Sequence, residues 1–185
     1  MIPVAMSGSG PDVVVLHGPP LPPESMAPLP ERLAGSHRVF VPDYRGLAVG
    51  PVETARQLAD GIEAGAIDPT PTLLDLWFTP KALAERPGLE PLFRGWFEDF
   101  GAAGLATCAR TDFRGPDLRP RLVDLAVPVL LIAGALDRAA LPTWAEELAA
   151  LLPEARLETL EGVGHFAHLE DPDGVVAALG PFLAP

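Results

Sequence analysis

Apolar positions along this chain follow two alternating rhythms. Val13-Val-Val-Leu16 is a continuous apolar run ending in His-Gly-Pro-Pro, which predicts a buried strand entering a tight loop. Val39 to Val41 predicts a second short strand, stopped by Pro42-Asp43. Val129-Leu-Leu-Ile-Ala133 predicts the strongest strand, and Arg156 to Leu160 a fourth. Between them the spacing is helical. Ser25 is placed to cap a short helix through Leu33, with Glu24 near its positive end. Val52 to Ala64 has helical character. Leu89, Leu92, Phe93, Trp96, Phe97 and Phe100 fall at i, i+3, i+4, i+7, i+8 and i+11, one apolar stripe. Trp144 to Leu152 predicts a helix with Pro142 near its start, and Val175 to Leu183 a last, apolar one.

Strands that alternate with helices are parallel strands joined by crossovers, so the pattern predicts an α/β fold with a sheet covered on both faces. The stretch from Leu73 to Arg114 holds helical pieces and no strand, which predicts a helical insertion at one end of that sheet. No internal repeat is found. We expect one domain over residues 1–185, with 51–120 as a helical cap segment. We also expect Val13–Leu16 and Val129–Ala133 to pair directly, because each would otherwise present a long apolar edge.

Composition changes the picture in three places. The formal charge of −12 argues against nucleic acid and against anionic membrane surfaces, because neutralising phosphates takes clustered Lys and Arg. The single cysteine, Cys108, leaves no internal disulfide and fits a reducing compartment. The first residues lack the basic n-region and apolar h-region of a signal peptide, and no apolar run approaches the roughly 20 residues that span a bilayer. The expectation is a soluble, cytoplasmic protein.

Two stretches carry a resemblance. The run VVVLHGPPLPPESMAPLPERLAGSHRVFVPDYRG resembles the opening of α/β-hydrolase-fold enzymes: strand, His-Gly loop, helix, strand, Asp-x-Arg-Gly. The run PVLLIAGALDRAALPTWAEELAALLPEARLETLEGVGHFAHLEDP resembles their close, with its Gly-x-x-Asp turn and Gly-His loop. The middle of the chain is similar to the cap of the enol-lactonase and small-esterase branch. The resemblance implies a reduced α/β-hydrolase-like parallel sheet of about four strands with a helical cap insertion. It also implies that Asp137 is the triad acid and His165 the triad base, and that no cofactor is needed.

The family's Gly-x-Ser-x-Gly elbow is not in this chain. Its four serines are Ser7, Ser9, Ser25 and Ser36, and the sequence passes from Asp43-Tyr-Arg-Gly46 to cap-like Pro51 within a few residues. The elbow block of the family amounts to about two βαβ steps of roughly 30 residues each. The oxyanion hole departs as well. Half of it is the N–H after the nucleophile, and the other half comes from the loop after the first strand. In that loop Pro19 and Pro20 follow Gly18 and lack an N–H, leaving Leu21 as the nearest donor.

Several residues keep two readings. His165 is a general base oriented by Asp137, or an inherited loop histidine; Asp137 is that acid, or a cap for the turn before Pro142. His168 suggests a two-histidine metal site but has no third ligand at a sensible spacing, so no metal is expected. His17 and Gly18 brace the first loop, and Tyr44 lines a pocket. Ser25 is a cap, or a recruited nucleophile if its loop reaches His165. Cys108 is a structural thiol or, less plainly, a nucleophile. The expected partner is a small hydrophobic carbonyl or lactone ligand, with self-association through uncovered apolar surface. The functional expectation is an ester or lactone hydrolase lineage without the serine nucleophile, non-catalytic or weakly active. The alternative is a non-covalent enzyme using the His165–Asp137 pair as general base.

Overall fold

The computed structural model describes residues 4–15, 23–42, 60, 62–66, 68, 70–110 and 119–184, the side chains of 105 and 107–110 excepted. The chain divides into two compact units. The first comprises Met1–Leu73 and Arg86–Phe113, the second Leu74–Glu85 and Arg114–Pro185.

The first unit carries a three-stranded sheet. Strand β3, Arg38–Pro42, lies between β1, Val4–Ser7, and β2, Asp12–Val14. β2 runs parallel to β3 with Val13 opposite Val39, while β1 runs antiparallel to it with Ala5 opposite Val41. β3 is central because Val39 and Val41 are the residues of the sheet that are buried, at the alternate positions of one face. A 3₁₀ turn, Pro23–Met26, leads into α1, Pro28–Leu33, whose Leu29 and Leu33 are buried. Helix α2 spans Thr70–Trp77 and α3 Pro80–Glu85, with α2 from Leu74 onward and the whole of α3 belonging to the second unit. The long helix α4, Leu89–Arg110, is broken at Gly101, where φ is 76° and no ordinary side chain would be at ease. Of its stripe, Leu89, Phe93 and Phe97 are buried, but Leu92 is 42% exposed, so the covered face is narrower than the spacing predicts.

The second unit holds a parallel pair. Strand β4, Val129–Gly134, pairs with β5, Ala155–Leu160, in the register Leu131 opposite Leu157. Helix α5 spans Arg119–Leu122, and α6, Pro142–Leu151, forms the crossover between the strands, with proline at its first position as expected. The short helix α7, Ala167–Glu170, is followed by α8, Pro172–Leu183, whose N-terminus is capped by Asp171 accepting the N–H of Gly174 at 2.9 Å.

The four expected strands are present, and the α/β class holds. Two expectations are corrected. Among the described residues Val13 and Val129 belong to separate sheets and share no ladder. The liability of the first sheet is met differently: β2 stops after three residues, a short edge, and β1 covers the other side of β3. Ser25 caps no helix. It lies inside the 3₁₀ turn, fully buried, with no hydrogen-bond partner for Oγ among the described residues, and α1 starts after Ala27 with no side-chain cap. Of the helix expected over 52–64, residues 60 and 62–64 are described; 60, 62 and 63 are helical and 64 is in a turn. No helix among the described residues is long and apolar enough to cross a membrane.

Candidate functional site

Two loops leave the carboxyl ends of the adjacent parallel strands β4 and β5, the end at which α/β sheets characteristically present their ligands. β4 is driven inside by its apolar run and ends at Gly134. A side chain there would place its Cβ 2.2 Å from the Gly164 carbonyl oxygen and 2.5 Å from that of Val163, so glycine is what lets the two loops meet. They are then stitched together. The Ala135 N–H donates to the Leu160 carbonyl, and the Leu136 N–H donates to that of Val163, both at 2.9 Å.

Asp137 stands at the turn that follows. Its Oδ1 accepts the N–H groups of Ala139 and Ala140, each at 2.8 Å, while its Oδ2 lies 2.9 Å from Nδ1 of His165. Asp137 therefore makes two attachments with one carboxylate: one oxygen fixes the turn, and the other faces the histidine. A carboxylate only accepts, so Nδ1 is the donor, and in the neutral ring Nε2 carries the lone pair. Asp137 is 8% exposed and His165 31%, an arrangement in which the carboxylate is shielded and the imidazole is open.

His165 is held from the other side by its backbone. Gly162, at φ 74°, turns the chain out of β5, and the His165 N–H donates to the Trp77 carbonyl at 2.9 Å. The Gly164 N–H donates to Glu170 Oε1 at 3.1 Å. The same carboxylate accepts the Thr79 N–H at 3.3 Å and its hydroxyl at 2.7 Å, and Thr79 Oγ1 in turn accepts the Ala82 N–H at the start of α3. The ring of Phe166 packs against those of Trp77, Phe78 and His165, with centroids 5.2, 5.6 and 4.9 Å apart. Beside Asp137 opens a cavity of about 500 Å³ walled by Phe78, Pro80, Leu136 and Leu141, with Thr79 and Arg138 as its polar margin. Arg138 is also paired with Asp75 at 3.1 Å, both side chains half or more exposed.

The structure thus brings Asp137 and His165 together in the second unit and places Ser25 in the first. His17, Gly18, Pro19, Leu21 and Tyr44 lie outside the described residues, as does the side chain of Cys108. The ring of His168 packs on Phe166, centroids 5.8 Å apart, and among the described residues no cluster of three or more potential ligands could hold a metal ion. Sequence reasoning missed Glu170, Thr79 and the Trp77 carbonyl. Glu170 was within view, five residues past His165, but its partner Thr79 lies 91 residues upstream, and no local spacing announces such a bond.

Parallel strands joined by a crossover helix, with an acid turn and a histidine loop at their carboxyl ends, define an α/β protein of hydrolase architecture. The alpha/beta hydrolase family profile matches residues 47–178, which include both Asp137 and His165, and the chain belongs to that family. Its similarity lies with the esterase and lactonase branch. It is 29% identical over 110 residues to 3-oxoadipate enol-lactonase 2 of Acinetobacter baylyi, a match that takes in 60% of this chain and 40% of that protein. In fold it is similar to a thermophilic esterase from Thermogutta terrifontis, with a TM-score of 0.85 at 18% identity over 98% of this chain and 92% of that one. It is similar also to the enol-lactonase from Burkholderia xenovorans, with a TM-score of 0.80 at 20% identity over 98% and 96% of the two chains.

Proposed function

We propose that this chain keeps the acid–base half of an ester or lactone hydrolase and works, at most weakly, without a covalent intermediate. His165, oriented by Asp137, takes a proton from water or from the substrate, a small hydrophobic carbonyl compound or lactone seated in the apolar cavity beside Asp137. The observation that carries this reading is the 2.9 Å contact between His165 Nδ1 and Asp137 Oδ2, with the second carboxylate oxygen already engaged by the turn. Such a pair supplies about 10² to 10⁴ in rate by general-base catalysis. Losing a triad serine costs on the order of 10⁶, so a chain with no Gly-x-Ser-x-Gly segment is not expected to approach the turnover of a complete triad. The segment 51–120 is read as a cap, a reading supported by the helices over 70–110 and the lack of any strand among its described residues.

The missing Gly-x-Ser-x-Gly segment also favours a second reading, a non-catalytic binding protein of the same lineage. Steady-state hydrolysis of activated aryl esters and small lactones separates the two. The first reading expects slow turnover in the wild type that disappears in His165→Ala. Equal residual rates for the two proteins would leave the binding protein standing.

A further inference from the structure

We propose that Glu170 is a positioning residue for His165. The inference rests on the reading of His165 as the working base, and its own support is geometric. The Glu170 carboxylate is the common acceptor for three donors: the Gly164 N–H immediately before His165, and the N–H and hydroxyl of Thr79. Thr79 stands two residues after Trp77, whose carbonyl accepts the N–H of His165 itself. One side chain therefore clamps the histidine loop to the segment on which that loop's other backbone bond depends. The approach is close enough to exclude a side chain at Gly164: a Cβ there would lie 2.6 Å from Glu170 Oε1 and 2.9 Å from the Trp77 oxygen.

The direction of influence follows. Asp137 holds Nδ1 of the imidazole from its own turn, so the Nδ1–Oδ2 contact survives only while the two loops keep their register. Two of the three donors to Glu170 are backbone N–H groups, one of them in the histidine loop, and removing a half-buried acceptor leaves such donors to find others by moving. The imidazole then loses its alignment although Glu170 makes no bond to the ring: its donors are on Gly164 and Thr79.

The test is read on the ring and needs no substrate. In imidazole-labelled protein the Nδ1–H of His165 gives a downfield proton resonance, identified by its absence in His165→Ala and in Asp137→Ala. Glu170→Ala is expected to lose that resonance by exchange with water, whereas Glu170→Gln, which still accepts the backbone N–H groups, retains it. Leu152→Ala, which opens the buried core at the end of α6, lowers the Tm but keeps the resonance. Thr79→Val removes the hydroxyl that donates to Glu170, and with it the acceptor of the Ala82 N–H, and broadens the resonance, which serves if Glu170→Ala does not fold. A resonance as sharp in Glu170→Ala or Thr79→Val as in the wild type overturns the proposal, as does its equal loss in Leu152→Ala. A resonance that behaves as expected in a wild type without turnover supports the positioning role while removing the catalytic reading of the site.

Discussion

Asp137 shows how much one side chain can be asked to do. It stabilises the turn after β4 through Oδ1 and orients His165 through Oδ2, while being almost wholly withdrawn from water. Replacing it by alanine leaves the N–H groups of Ala139 and Ala140 and the Nδ1–H of His165 without their acceptor. Unsatisfied donors of this kind cost about 1–3 kcal/mol, and less where water reaches them, as it reaches His165. We expect Asp137→Ala to lower unfolding free energy by about that amount in denaturant titration, and Asp137→Asn, which keeps one carbonyl oxygen, by less. An unchanged midpoint in Asp137→Ala would mean that the turn holds without its carboxylate.

At the scale of elements, the strands were legible where burial wrote them and illegible where pairing did. Val39 and Val129 head apolar runs that water would expel, and the structure has strands at both. Strand β1 is Val-Ala-Met-Ser, exposed along its whole length. It exists because β3 offers it a free ladder and because Gly8 and Gly10, at φ 76° and 125°, turn the chain between β1 and β2. Such a strand leaves no periodic trace. The loops of Asp137 and His165 were legible for a different reason, their resemblance to the family's Gly-x-x-Asp turn and Gly-His loop, whereas Glu170 and Thr79 are joined only by the fold. Elements are also pinned by charge. Asp68 is held down to about 2 by the Thr70 hydroxyl first, then by the Arg94 guanidinium at 2.9 Å and the Thr70 N–H, tying the start of α2 to α4. A carboxyl depressed in the folded state contributes stability above its unfolded value of about 3.9, and that contribution is lost as pH falls through the folded value. Acid unfolding of the wild type should therefore gain slope between about pH 4 and about 2. With Asp68 half exposed the effect is modest, and it should be smaller in Asp68→Asn. Identical acid profiles for the two proteins would remove the pair from the account.

At the scale of the molecule, membership of the alpha/beta hydrolase family and the chemistry written into this chain point in different directions. The family profile spans both members of the His165–Asp137 pair, and the pair is built to hydrogen-bonding distance. The chain's four serines all precede residue 37, and none stands in a Gly-x-Ser-x-Gly segment. In the complete machinery the base deprotonates a serine, and the oxyanion donors stabilise what forms next. On the function proposed above, His165 is left with water or a substrate proton, and any turnover passes through no acyl-enzyme. Intact-protein mass spectrometry, on samples quenched during turnover of an activated aryl ester and after exposure to a serine-directed phosphonate, reads that claim directly. The account predicts the unmodified mass in both samples. An adduct, mapped to Ser25 or to any other side chain, would contradict it and show that His165 serves a nucleophile after all.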